Sequence, residues 1–277
     1  MKKLKKLLLT TTLVVSALSL VACGNSNKEV ADGVNEAIKV GVVGEKHEVW
    51  DFVQEKLDKD GFKIDIVTFT DYNQPNEALL SKDIDLNSFQ HQIFLDNFNN
   101  EKNADLISIG DTILAPIGLY SNKIKDVSEI KENDKIAIPD DVTNGARSLK
   151  LLETAGFLKV KDVDFPTVKD IEENRLNLEI IPMDASQTAR SLDDVTVSII
   201  NDGVAIDAGY IPTEDSIYLE PVDKNSKPYI NIIVSRQEDK DNEALKKVVE
   251  AYQAEDTKEI IKESTKGSGI PAWDIEL

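Results

Sequence analysis

Residues capable of acid–base, nucleophilic or metal chemistry are scarce in this 277-residue sequence. It contains two histidines, His47 and His91, and a single cysteine, Cys23. Neither histidine has a second histidine or a cysteine at the short spacing that zinc sites use, so a histidine metal site would need ligands from distant segments. With one cysteine, an internal disulfide, a thiolate metal cluster and a cysteine redox pair are all excluded.

Sequence motifs for nucleotide, calcium or hydrolase chemistry are also missing. The turn Gly41–Gly44 has neither the glycine spacing of a dinucleotide-binding loop nor the Lys-Ser/Thr of a phosphate-binding loop. The segment Asp58–Gly61 lacks the spaced ligands and closing glutamate of an EF-hand, and there is no Gly-x-Ser-x-Gly elbow. We therefore predict a protein that is not an enzyme and has no cofactor or metal. A secreted hydrolase or isomerase, the enzymatic alternative, would need a nucleophile or metal that we do not find.

The first 22 residues have the three parts of a secretory signal. Lysines occur at positions 2, 3, 5 and 6, an apolar run covers 7–20, and small residues precede Cys23. The alternatives are a plain secretory peptide or a single membrane span, but the run is shorter than the ~20 residues that a spanning helix needs. Leu20-Val21-Ala22-Cys23 resembles the bacterial lipobox. We predict a lipoprotein signal peptide over 1–22, a lipid (palmitate-type) anchor on Cys23, a flexible tether over 23–36, and a location on the extracytoplasmic face of the cell membrane.

The charge balance restricts the partners of the mature chain. The full sequence has 32 Lys and Arg against 51 Asp and Glu, and removal of the four signal-peptide lysines changes the net charge from -19 to -23. So acidic a protein lacks the basic face that nucleic-acid binding requires, and anionic lipid headgroups would repel it. We expect contact with the membrane through the lipid anchor alone.

Strand and helix patterns alternate along the rest of the chain. The first series predicts strands at 39–44, 63–69, 84–89 and 106–109 and helices at 48–59, 76–81 and 93–100. A second series begins after Asn122, with strands at 135–139, 178–182 and 195–200 and helices at 145–155 and 186–192, and a last helix is predicted at 243–252. This rhythm predicts an α/β protein with mostly parallel sheets. We expect two lobes, 37–121 with 229–277 and 122–228, and a small ligand in the cleft between them.

Four segments and one shorter motif carry a family resemblance. The segments are Thr70–Leu79 (TDYNQPNEAL), Asp85–His91 (DLNSFQH), Thr143–Leu149 (TNGARSL) and Pro228–Arg236 (PYINIIVSR), and SLDD at 191–194 precedes VTVSIIN at 195–201. In this order and spacing they resemble the methionine-binding lipoprotein family of ABC importers. The resemblance implies a two-lobed, type II periplasmic-binding-protein-like fold with a hinge between the lobes. It also implies capture of L-methionine and its delivery to a transporter permease driven by an ATPase.

The resemblance also assigns roles to individual residues. Arg147 would bind the ligand carboxylate through its fork of N–H donors, and the side-chain carbonyls of Asn201 and Asn231 would bind its ammonium. An amide between Ile230 and Ile232 also needs a partner if buried, whereas Asn201 has an alternative as a turn residue and Phe89 as a core residue. The predicted ligand-binding set is Tyr72, Phe89, His91, Asn144, Arg147, Asn201 and Asn231.

The sequence departs from the family pattern directly after His91. Members commonly continue with proline and an aromatic residue, whereas this chain has Gln92-Ile93-Phe94. This difference concerns the lining of the ligand pocket and therefore its selectivity. The alternatives to methionine are another amino acid or a methionine-containing dipeptide, and the alternative to transport is a surface adhesion or interaction lipoprotein.

Overall fold

The computed structural model describes residues 37–277, and this part of the chain folds into eight α-helices and thirteen strands. The strands are β1 (Ile38–Val43), β2 (Ile64–Phe69), β3 (Leu86–Asn87), β4 (Ile107–Leu114), β5 (Gly118–Tyr120), β6 (Lys135–Pro139), β7 (Leu158–Val160), β8 (Ile171–Asn174), β9 (Glu179–Met183), β10 (Val197–Ile200), β11 (Tyr218–Leu219), β12 (Ile230–Ser235) and β13 (Ile270–Pro271). The helices are α1 (Glu48–Lys59), α2 (Gln74–Leu80), α3 (Gln92–Lys102), α4 (Val142–Thr154), α5 (Asp202–Asp207), α6 (Pro212–Asp215), α7 (Glu243–Tyr252) and α8 (Glu255–Ser264).

Two mixed sheets form the framework. A six-stranded sheet has the order β13-β4-β12-β3-β1-β2, and a five-stranded sheet has the order β11-β5-β10-β6-β9. In the first sheet β1 is parallel to β2 and β3, while β12 is antiparallel to β3 and β4 and β13 is antiparallel to β4. In the second sheet β10, β6 and β9 are parallel and β5 is antiparallel to β10. Most strands of each sheet thus run in one direction, as predicted.

Each sheet has its own hydrophobic core. On α1 the buried residues Trp50, Val53 and Leu57 follow helical spacing and pack with Val40 and Val42 of β1. The core of the five-stranded sheet combines buried leucines of α4 with isoleucines and valines of the parallel strands, among them Leu149, Leu152, Ile136, Ile138, Val197 and Ile199. Burying one such side chain contributes about 1.5–3 kcal/mol.

The predicted helix at 186–192 is wrong. The structure has two 3-10 turns there, Ala185–Gln187 and Arg190–Asp193. The Thr188 hydroxyl donates to the carbonyl of Ala185 at 2.7 Å and the Ser191 hydroxyl donates to the carbonyl of Thr188 at 2.7 Å. Such local side-chain bonds compete with continuous helix formation, which explains the interruption.

Strand pairing shows where the chain passes between the sheets. It leaves the six-stranded sheet after Leu114 and enters the five-stranded sheet at Gly118, because β5 pairs with β10 and β11. It returns between β11 and β12. By strand pairing, Gly118–Tyr120 therefore belong to the second sheet. The predicted signal peptide, Cys23 and tether lie outside the described residues, and no helix within 37–277 is long and apolar enough to span a membrane.

Candidate functional site

A cavity of about 210 Å³ lies at the carboxyl ends of β1, β3 and β10 and at the beginnings of α4 and β12. In open α/β sheets this edge is where ligands bind. The volume is below the roughly 300–1,000 Å³ of pockets for drug-sized ligands, so the cavity suits a small metabolite. All seven residues predicted from the sequence line it: Tyr72, Phe89, His91, Asn144, Arg147, Asn201 and Asn231.

A network of buried amides holds the segment that carries Phe89 and His91. Asn76 and Gln90 exchange two side-chain hydrogen bonds, of 2.8 and 2.6 Å. Asn87 donates to Asn76 at 2.9 Å and accepts from Gln90 at 2.9 Å. All three side-chain amides are at most 2% exposed. Because a buried network whose members are hydrogen-bonded is rigid, it holds the end of β3 in a fixed position against α2.

His91 caps α3 and presents one N–H to the cavity. Its Nδ1 accepts the backbone N–H of Phe94 at 3.1 Å, so the proton of the neutral ring is on Nε2. Burial, reinforced by the positive charge of Arg147, lowers the His91 pKa to about 3. Nε2 is buried and has no hydrogen-bond partner among the described residues. His91 is therefore a neutral hydrogen-bond donor with an unmet bond at the cavity.

Arg147, on α4, is 3% exposed and is held from three sides. Its Nε donates to Glu220 at 2.9 Å, and Nη2 donates to the same carboxylate and to the carbonyl of Ala115. The Tyr229 ring lies 4.2 Å from the guanidinium carbon. The Nε/Nη2 edge is thus occupied by Glu220, which differs from the free fork expected from the sequence. Nη1 makes no hydrogen bond within the described part of the chain and is the donor left for a ligand.

A hydrogen bond between the side chains of Asn144 and Asn201 orients the side-chain oxygen of Asn201. The Asn144 side-chain nitrogen donates to both carboxylate oxygens of Asp141, at 3.1 and 3.0 Å, so its oxygen is free to accept. That oxygen accepts from the Asn201 side-chain nitrogen at 2.9 Å. The Asn201 Oδ1 is consequently left as a buried acceptor without a partner among residues 37–277.

Asn231 sits at an irregularity in β12. The register against β4 shifts between Ile230 and Ile232, and Asn231 forms an isolated antiparallel bridge with His91. A bulge re-aims the side chain at its centre. Asn231 lines the cavity, whereas Ile230 and Ile232 on either side of it are buried in apolar clusters.

Aromatic rings surround one end of the cavity. Tyr72 and Phe89 have ring centroids 6.0 Å apart, and Phe94 lies edge-on to both at 6.3 and 5.6 Å. His91 is edge-on to Tyr229 at 5.3 Å. Burial first, and nearby carboxylates second, raise the pKa of Tyr72, so its hydroxyl stays protonated. Phe94 follows the position where the sequence departs from the family pattern, and it supplies a third ring to this group.

Similarity to a known protein family extends over almost the whole described part of the chain. The model of the NlpA lipoprotein family matches residues 38–273. The chain belongs to the NlpA lipoprotein family. The D-methionine-binding lipoprotein MetQ of Escherichia coli K12 is 40% identical over 266 residues, 94% of this chain and 95% of that protein.

Solved structures of related proteins have the same fold. A nutrient binding protein from Burkholderia cenocepacia, bound to methionine, has a TM-score of 0.81 and 42% identity, covering 85% of this chain and 100% of that one. The substrate binding protein of a methionine transporter from Streptococcus pneumoniae has a TM-score of 0.81 and 40% identity, covering 86% and 96%. The two-lobed binding-protein fold predicted for this NlpA-family chain is confirmed.

Several residues of the site in this NlpA-family chain were not predicted. Glu220 and Tyr229 hold Arg147, and Asp202 lines the cavity beside Asn201. In the sequence, Asp202 lies in an Asn-Asp-Gly run that is typical of a turn, and Glu220 carries no signal among the many carboxylates. Tyr229 belongs to the segment Pro228–Arg236 and lies two residues before Asn231. Among residues 37–277 no group of three or more His, Cys, Asp or Glu side chains could hold a metal ion.

A contact between the two sheets closes one side of the cavity. The Asp207 carboxylate, at the end of α5, accepts the backbone N–H groups of Glu45 at 2.9 Å and Lys46 at 3.0 Å. The Lys46 ammonium donates to the carbonyl of Ile206 at 2.7 Å. Gly44 has φ +106°, and a Cβ there would lie 2.5 Å from an Asp207 oxygen, so only glycine fits. Gly44 and Asp207 line both the cavity and an outer cleft, so this contact separates the two.

Proposed function

We propose that this chain is the substrate-binding component of a methionine ABC importer, and that it holds methionine in the cavity between the sheets. The observation that carries this proposal is the arrangement of unpaired polar atoms. Among residues 37–277, the His91 Nε2 donor and the Asn201 Oδ1 acceptor are buried without a partner. Arg147 donates to the protein through Nε and Nη2, which leaves Nη1 as a further donor. A zwitterionic amino acid has the complementary groups, a carboxylate that accepts and an ammonium that donates.

The carboxylate of the ligand would bind between Arg147 and His91. Both side chains contact the Tyr229 ring, at 4.2 Å for the guanidinium and 5.3 Å between ring centroids for the imidazole, so they lie on one side of the cavity. Glu220 and Tyr229 position the guanidinium and limit its rotation. Asn144 would act through Asn201 rather than on the ligand, because its side-chain nitrogen donates to Asp141 and its side-chain oxygen accepts from Asn201.

The side chain of the ligand would lie among the rings of Tyr72, Phe89 and Phe94. A thioether gains about 0.3–1.5 kcal/mol from each sulfur–aromatic contact. The three rings have centroids 5.6–6.3 Å apart, which suits an unbranched side chain inserted between them. The related proteins named for methionine support the same assignment.

The two sheets would be the frameworks of two lobes that open and close about the segments 115–117 and 220–229. Methionine would enter the open cleft, and closure would form the contact between Asp207 and Glu45 and Lys46. The closed protein would then deliver methionine, chemically unchanged, to the permease and its ATPase. Lipid on Cys23 and the tether 23–36 would hold it at the extracytoplasmic face of the membrane, which labelling of the expressed protein with palmitate would test.

The function is tested by titration calorimetry with a panel of ligands on protein that has been unfolded, dialysed and refolded to remove any bound molecule. The panel contains L-methionine, D-methionine, Gly-Met and a set of other amino acids, since some relatives are named for D-methionine. We expect L-methionine to bind with the highest affinity and to raise the melting temperature by linkage. If Gly-Met or an amino acid other than methionine binds more tightly, that ligand is the substrate instead of methionine. If none of the ligands binds, an import function for amino acids is contradicted.

Substitution of Asp207 with alanine is expected to accelerate methionine dissociation about tenfold. It removes two charge-assisted hydrogen bonds that would form on closure of the cleft. A hydrogen bond to a charged group contributes about 1.5–3 kcal/mol, but both of these are solvent-exposed, so we expect a net loss of about 1.4 kcal/mol, a factor of ten. Stopped-flow measurement of dissociation checks this, with Asp58→Ala, an exposed position on α1, as the matched control. Equal dissociation rates for the Asp207 variant and the control would show that this contact does not hold the closed state.

A further inference from the structure

Asp202 is a buried carboxyl group at the cavity with an unpaired oxygen. It is the first residue of α5, directly after Asn201, and is 3% exposed. Its Oδ1 has no hydrogen-bond partner among the described residues, like the Oδ1 of Asn201. Both residues line the same cavity. A buried carboxylate oxygen without a partner is costly, and two such acceptors on consecutive residues of one cavity call for a donor from a ligand.

The charged groups around Asp202 leave it without a cation of its own. Arg147 is the positive group that faces it, from α4, but that guanidinium is already paired with Glu220. His91 is neutral because its pKa lies at about 3. Tyr72 and Tyr120, whose hydroxyls stay protonated since burial raises the pKa of each, and the Ser268 hydroxyl complete its polar surroundings.

We infer that Asp202 is a ligand-binding residue, whose carboxylate accepts the ammonium group of the bound amino acid together with Asn201 Oδ1. This inference rests on the proposed function and extends it, since it makes a free α-ammonium a requirement of the site. A ligand with a hydroxyl or hydrogen in place of the ammonium would leave the buried carboxylate unsatisfied. Asp202 would therefore determine specificity for amino acids over the corresponding hydroxy acids and deaminated acids.

Ligand binding at Asp202 is coupled to the release of a proton from its carboxyl group. Burial raises the pKa of Asp202 to about 6, and the Ser268 hydroxyl and the Arg147 charge offset part of the rise. Below that pH the ligand-free carboxyl group holds a proton that an incoming ammonium must displace. Methionine affinity should therefore fall as the pH decreases below 6, by at most tenfold per pH unit.

The experiment compares the wild-type protein with Asp202→Asn, which keeps the shape of the side chain and removes its charge. Calorimetry at pH 7.5 measures affinity for L-methionine and for 2-hydroxy-4-(methylthio)butanoate. We expect the substitution to weaken methionine binding 10- to 100-fold and hydroxy-acid binding less than threefold. A second measurement needs only wild-type protein: methionine binding at pH 6, in buffers of different ionisation enthalpy, should release about half a proton.

Each outcome decides between the assignments. Equal loss of affinity for both ligands, or no loss for either, would overturn the role of Asp202 while leaving methionine binding intact. If Asp202→Asn does not fold, absence of proton release from the wild-type protein at pH 6 overturns the inference by itself. A wild-type protein that binds no methionine overturns both the proposed function and this inference.

Discussion

Substitution of Arg147 with alanine is expected to weaken methionine binding about 10²- to 10³-fold. The guanidinium is 3% exposed, so the ligand carboxylate beside it would be desolvated and would lose its cationic partner. Truncating one member of a buried, hydrogen-bonded charge pair costs about 2–5 kcal/mol, and each 1.4 kcal/mol corresponds to a factor of ten. Calorimetric titration with L-methionine measures the loss directly.

The same substitution should also destabilise the ligand-free protein, because it leaves the largely buried Glu220 without its partner. The double variant Arg147→Ala/Glu220→Gln separates the two effects. We expect it to recover most of the stability in urea unfolding and none of the affinity. Arg175→Ala, whose side chain is 80% exposed, is the matched control for loss of an arginine. Recovery of affinity in the double variant, or unchanged affinity in Arg147→Ala, would contradict the assigned role.

The fold was largely predictable because the apolar periodicity of each element is local. The spacing of Trp50, Val53 and Leu57 predicts α1, and its observed range 48–59 matches the prediction, as do the ranges of β6 and α7. The prediction that 243–252 is the last helix is wrong, because the ten-residue helix α8 follows it. The short elements α5 and α6 and the hairpin β7–β8 were also not predicted. These have few residues over which a period could be recognised, so their conformation depends on neighbours from elsewhere in the chain.

The site was predictable only as far as its residues belong to short, ordered motifs. His91 and Asn231 were assigned by family resemblance, and the bulge that brings them together was not visible from sequence. Glu220 is 73 residues from Arg147, and Asp207 is 162 residues from Glu45. No local sequence pattern distinguishes these two carboxylates from the other acidic residues among the 51 in the sequence. Their roles follow from tertiary pairing alone.

His91, at the ligand site, makes the stability of the ligand-free protein depend on pH in the acid range. Its pKa is about 3 in the folded protein, against 6.5 for an unperturbed histidine, so the unfolded chain takes up a proton between these values and the folded one does not. Stability is therefore fully present above pH 6.5 and decreases as the pH falls. We expect His91 to account for a loss of about 2–3 kcal/mol between pH 6.5 and 4.5, measured by urea unfolding at each pH.

The matched variant is His91→Asn, since asparagine is a good N-cap and its oxygen can accept the Phe94 N–H that His91 Nδ1 accepts now. This variant keeps the start of α3 and removes both the titrating ring and the Nε2 donor. Between pH 6.5 and 4.5 the free energy of unfolding of the variant should fall by about 2–3 kcal/mol less than that of the wild type.

The methionine affinity of His91→Asn at pH 7.5 should be about 10- to 100-fold lower than that of the wild type, because a hydrogen bond to a charged group contributes about 1.5–3 kcal/mol. If the free energy of unfolding decreases equally with pH in variant and wild type, the ring is not held neutral in the folded protein. If the methionine affinity is unchanged, His91 does not bind the ligand carboxylate.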